Sequence, residues 1–141
     1  MKDYADDKSE RDELTGKIIG VFYDVYNELG PGFLESVYLS AMALALVQAG
    51  LKVAKESPVT VYFRGEIVGE FRADLIVEQQ VICELKAASG LEPAHEAQLL
   101  HYLAATEIEK GLLFNFGPEP QFQRYIYSNS RKRNLATDRR R

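Results

Sequence analysis

The chain has 141 residues, 46% hydrophobic and 27% charged, with a net charge of −4. That composition suits one globular domain with a core of reasonable size, and no apolar run approaches the roughly 18 residues of a membrane span. The charge is uneven: residues 131–141 carry +5, leaving −9 on residues 1–130, and so acidic a body argues against tight, constitutive coating of duplex DNA.

The first residues, from Met1 to Lys8, are polar and acidic, unlike a signal peptide. Residues 1–9 are expected to be loose. From about residue 10 to 29, Leu14, Ile18, Phe22, Val25, Tyr26 and Leu29 recur at helical spacing. Gly30-Pro31-Gly32 stops that helix. A second helix is predicted over about 34–49, with Leu34, Val37, Tyr38, Ala41, Leu44 and Ala45 on one side and Gly50 closing it.

Residues 52–63 read as extended, with Pro58 marking an edge or a break. Arg64-Gly65-Glu66 is a turn, and strands follow over about 67–77 and 81–86, with Gly69 a candidate bulge. Ala87-Ala88-Ser89-Gly90 is a loop, and Glu92-Pro93 opens a third helix that reaches about residue 106. Two short strands, about 111–116 and 122–127, complete the order α, α, β, β, β, α, β, β. The fold class is therefore α/β or α+β, a mixed central sheet flanked by helices, with the third helix a candidate crossover. Residues 10–128 form the expected single domain, and 129–141 a basic, disordered tail that could contact phosphates. One cysteine, Cys83, excludes an internal disulfide or a cysteine metal cluster and fits a cytoplasmic protein.

Chemistry concentrates where acids interrupt the strands. The polar Glu78-Gln79-Gln80 separates Phe71-Arg72-Ala73-Asp74-Leu75-Ile76-Val77 from Val81-Ile82-Cys83-Glu84-Leu85-Lys86, as a hairpin turn would. Such a turn places Asp74 opposite Glu84. Facing carboxylates repel by up to roughly 1 kcal/mol when hydrated. An unpaired buried charge costs several kcal/mol. Something cationic is required. Alternation puts Lys86 on the face of Glu84. Two readings stand open: a structural ion pair with Lys86, or a Mg²⁺ site in which two carboxylates hold the ion while Lys86 orients water or contacts phosphate.

Two helices add polar groups. Gln98 and Tyr102 lie four residues apart on one face of the third helix, and His95 shares that side. A metal-bound water, a phosphate or a nearby backbone carbonyl would satisfy them. Glu35 begins the second helix, where the macrodipole favours a carboxylate by about 0.3–1 kcal/mol. It is either that stabiliser or a third acid reaching metal waters. Cys83, of opposite parity to Glu84, is expected in the core, His101 at the surface, and Tyr38 as a brace holding its helix to the sheet. Tyr23, Tyr26, Tyr62, Tyr125 and Tyr127 read as core or rim residues rather than base-stacking platforms.

Gly32-Phe33-Leu34-Glu35-Ser36-Val37-Tyr38 resembles the motif that names the GxxExxY proteins, a family within the PD-(D/E)xK nuclease superfamily. The hairpin from Gly69 to Ala87, the helix from His95 to Leu103 and the strand from Gly111 to Gly117 are similar to later motifs of that family, in consistent order over residues 10–128. The resemblance implies a restriction-endonuclease-like αβββαβ core. It implies Asp74, Glu84 and the Leu85 carbonyl as ligands of Mg²⁺ or Mn²⁺, with Glu35 reaching the metal through water. Lys86 would be the catalytic lysine, and Gln98 and Tyr102 the Q-x-x-x-Y pair that organises the site. Ala73 stands where the superfamily's name has proline, a tolerant position. The implied activity is hydrolysis of nucleic acid, DNA above all. The competing expectation is a non-catalytic module that keeps the nuclease fold and acts as a homo-oligomer or as a subunit of a larger nucleic-acid-processing assembly.

Overall fold

Asp12 starts the first helix: its carboxylate accepts the Thr15 N–H at 2.7 Å and the Thr15 hydroxyl at 2.8 Å, filling donors that a helix N-terminus leaves open. It also pairs with Lys110. The helix α1, Glu13–Leu29, buries Ile18, Phe22 and Val25 and ends at Gly30, whose φ of 71° suits only glycine comfortably. This is a computed structural model, and it describes residues 12–132. The expected loose residues 1–9 lie outside them, as do residues 133–141 of the tail.

Helix α2, Glu35–Gln48, follows a turn locked by Tyr38. The Tyr38 hydroxyl donates to the Gly30 carbonyl at 2.5 Å and accepts the Phe33 N–H at 3.2 Å. Its ring stacks on Phe116 at 4.3 Å between centroids. That anchor turns Tyr38, Met42 and Leu46 into the core. Leu34, Val37 and Leu44, expected on the packed side, face solvent instead, Leu34 being 75% and Leu44 60% exposed. The helix is apolar nearly all round, so its periodicity could not choose a face.

Strands β1, Val53–Phe63, and β2, Glu66–Val77, form a hairpin. Arg64 and Gly65 both take positive φ, as a two-residue turn between twisted strands requires, so Glu66 already belongs to β2. The register shifts after Val61, leaving Val68 as the extra residue beside Gly69. Pro58 sits on the edge strand. Strand β3, Val81–Lys86, pairs with β2 in the expected register, Val77 with Val81 and Leu75 with Cys83.

Helix α3, Pro93–Ala104, is the crossover between β3 and the parallel strand β4, Lys110–Phe116, and β5, Pro120–Ile126, closes the sheet antiparallel. The five strands lie in sequential order. Helices α1 and α2 cover one face, over Cys83, Leu85, Phe114 and Phe116. Helix α3 covers the other, over Ile76, Ile82, Leu113 and Tyr125. The result is the mixed α+β sheet flanked by helices that the element order predicts. No helix among the described residues is long and apolar enough to cross a membrane. The start of the tail carries structure: Asn129–Arg131 is a 3₁₀ turn, and Lys132 donates to the carbonyls of Thr106 and Ile108, each at 2.8 Å.

Candidate active site

The β2–β3 ladder stops one pair short of Asp74 and Glu84. They do not form the facing ladder pair expected from the turn. Each carboxylate instead binds the opposite backbone. Glu84 Oε2 accepts the Asp74 N–H, and Asp74 Oδ2 accepts the Leu85 N–H, both at 2.8 Å. Side chains thus replace ladder bonds, and the strands part at the site. The edge side is irregular too: Glu56, beside Asp74 in the β1–β2 pairing, has a φ of 52° and is skipped in the register.

This exchange satisfies one oxygen of each acid and leaves the charge problem in place. Glu84 is only 2% exposed. Burial first, then Asp74 and Glu35, push its pKa up to about 8 against the lowering pull of the Asp74 N–H and Lys86. Asp74 also titrates above the ordinary carboxylate range, chiefly through burial, with Glu35 and Glu56 adding to the rise. Two acids that resist ionising side by side form a site that a cation would relieve.

Lys86 does not neutralise them by contact. Its ammonium donates to Gln98 Oε1 at 3.0 Å, and among the described residues it forms no ion pair with either acid. Gln98 Nε2 in turn donates to the Tyr102 hydroxyl at 3.3 Å. The i, i+4 pair on α3 therefore holds the lysine beside the acids. Burial, then Glu84 and Asp74, raise the Tyr102 pKa, so its hydroxyl stays protonated.

Glu35 is exposed at the first turn of α2 and reaches the acids through its field. Among the described residues no three His, Cys, Asp or Glu side chains make a ready metal cluster, so Glu35 is not drawn in beside Asp74 and Glu84. Leu85 serves Asp74 through its N–H. His95 departs from expectation. Its Nδ1 accepts the Glu92 N–H at 3.1 Å, capping α3. Cys83 is fully buried on the opposite face, and burial raises its thiol pKa well above the usual range, so it is chemically quiet.

Asn115 escaped the sequence reading. It lies beside Lys86 in the parallel register and is completely buried. Its amide accepts the Ala88 N–H at 2.9 Å and donates to the Ala88 carbonyl at 3.0 Å, which fixes the segment leaving Lys86. The available signal was one polar residue inside the apolar run of β4.

A sequence model described as the PD-(D/E)XK nuclease superfamily matches residues 12–125. The crystal structure of SSO0001 is similar in fold, with a TM-score of 0.51 and 21% identity over 74% of this chain. This chain spans 53% of that structure's length. No curated protein matches.

Proposed function

We propose, on the premise that the chain belongs to the PD-(D/E)XK nuclease superfamily, that it hydrolyses phosphodiester bonds of nucleic acid, with DNA as substrate and Mg²⁺ or Mn²⁺ as cofactor. The observation that carries this reading is the Asp74–Glu84 pair, held by each other's strand and reluctant to ionise. The donor set fits a hard cation, which takes oxygen ligands from one or two carboxylates and keeps several waters. Asp74 and Glu84 would hold it, with the Leu85 carbonyl as a third ligand and Glu35 acting through water.

A divalent cation supplies charge to offset the phosphate and lowers the pKa of a bound water. The chain's own residues do the rest. Lys86, aimed by Gln98, orients the attacking water or contacts the phosphate. Tyr102 fixes the amide of Gln98 so that its carbonyl oxygen faces the ammonium. Glu35 deepens the negative potential that draws the cation. The GxxExxY assignment is supported by the parts its motif plays: Gly32 takes a φ of 110° in the turn, Glu35 opens α2, and Tyr38 locks the two together. A cytoplasmic location belongs to the same proposal.

The test is cleavage of a panel of single- and double-stranded oligonucleotides with Mg²⁺ or Mn²⁺. Wild type is expected to cleave, Glu84→Ala and Lys86→Ala to lose at least about a hundredfold in rate, as for loss of a general acid–base or electrostatic group. Gln98→Ala should fall between. Equal rates in wild type and variants would overturn the proposal.

One observation favours the second reading, a non-catalytic module or assembly subunit. Leu34, Val37, Leu44 and Val47 form an exposed apolar stripe on α2, of a kind that marks interaction surfaces. If that reading holds, the Asp74 and Glu84 variants keep the protein's function while Leu44→Glu changes its mass in sedimentation.

A further inference from the structure

Just past the C-terminal ends of β3 and β4 lies a cleft of about 470 Å³. This is the size of a small-ligand site, roughly 300–1,000 Å³. In open α/β sheets ligands enter the crevice beyond the carboxyl ends of parallel strands, and β3 and β4 are a parallel pair. Its walls come from three segments: the α1–α2 turn at Phe33, the segment after Lys86 at Ala88 and Ser89, and the end of β4 at Phe116 and Gly117.

Those walls are fixed. Asn115 holds Ala88 through both backbone groups. Gly117 has no room for a Cβ, which would collide with the Ala88 carbonyl. Tyr38 binds the Phe33 N–H and meets its ring edge-on at 6.1 Å. The Phe33 ring is nevertheless 48% exposed.

The chemistry of the walls selects the occupant. None of the lining residues is charged, so the cleft has nothing for a phosphate. Its walls adjoin two of the proposed catalytic residues along the chain, Glu35 lying two residues beyond Phe33 and Lys86 just before Ala87. A neutral, flat group attached to a phosphate held at the acids would enter it. We infer that the cleft holds an unpaired nucleobase flanking the scissile phosphate, stacked on Phe33. This rests on the nuclease reading and deepens it, because a base inside a duplex is already stacked and cannot enter.

Binding tests this separately from cleavage. Fluorescence anisotropy with Ca²⁺ in place of Mg²⁺ would compare labelled oligonucleotides of about 12 nucleotides: single-stranded DNA, single-stranded RNA, duplex DNA, and a DNA strand bearing abasic sites. Single strands are expected to bind more tightly than duplex, and whichever sugar binds better identifies the source. Phe33→Ala should weaken single-strand binding at least fivefold, consistent with about 1 kcal/mol or more per stacked base. Phe33→Trp should restore it, and abasic sites should mimic the loss. Because Phe33 is half exposed, a fold check by circular dichroism is expected to match wild type. Single-strand binding unchanged in Phe33→Ala, or tighter duplex binding, would overturn the cleft assignment even if cleavage is found. A Phe33-dependent single-strand preference without cleavage would uphold the cleft and count against the nuclease reading.

Discussion

Asp74 and Glu84 act on each other's backbone as well as on each other's charge. Each supplies an acceptor to an N–H on the opposite strand, so alanine at either position removes a repulsion and orphans a donor, the latter costing about 1–3 kcal/mol if buried. The isosteric Glu84→Gln separates the two effects, since its amide oxygen can still accept the Asp74 N–H. Folding raises the Glu84 pKa to about 8, so the folded chain binds more protons than the unfolded one between the ordinary carboxylate range and pH 8. Stability of the metal-free protein is therefore expected to fall as pH rises through that window. Urea unfolding across pH 5 to 8 checks it: wild type should lose stability, and Glu84→Gln should show a flatter profile and be the more stable at pH 8. A wild-type stability that rises with pH would contradict the buried-acid picture.

At the scale of elements, what could be read in the sequence depended on how many forces pointed the same way. The β2–β3 register was legible because a polar turn separates two apolar runs. The end of that ladder was not, because side chains that bind backbone, rather than strand propensity, decide it. Strand alternation put Glu84 and Lys86 on one face and helical spacing put Gln98 and Tyr102 on another, while their union in one site was implied by the family resemblance. His95 obeyed the same spacing but serves as a cap, a local bond that competes with any site role. Helix α2 gave no readable face because it is apolar nearly all round, and Tyr38, stacked on Phe116 and bonded to Gly30, orients it. Gly117 acts through a backbone contact that no residue pattern announces, whereas Asn115 shows only as one polar residue in the apolar run of β4. Gly117→Ala is expected to cost about 1–3 kcal/mol, since the Ala88 carbonyl must move. Gly16→Ala, in open space inside α1, should instead stabilise by about 0.5–1 kcal/mol. Denaturant midpoints of the two variants should move in opposite directions, and equal shifts would contradict the clamp at Ala88.

The whole molecule is an acidic body, −9 over residues 1–130, and the substrate proposed for it is a polyanion. Long-range electrostatics opposes that encounter. The described fold answers with a cation-demanding pair at the end of β3. The four arginines from Arg133 onward lie outside the described residues, and phosphate contact by the tail remains a proposal. On the proposed reading a bound divalent cation would offset the charge of the two acids where phosphate arrives, so that reading stands on whether Asp74 and Glu84 hold one. Calorimetric titration of Mn²⁺ into the metal-free protein at pH 7, in two buffers of different ionisation enthalpy, measures this directly. The expected result is binding at millimolar concentrations or below, with release of about one proton as Glu84 gives up its own, and its loss in Glu84→Gln. No binding at millimolar Mn²⁺, or equal binding by Glu84→Gln, would contradict the account.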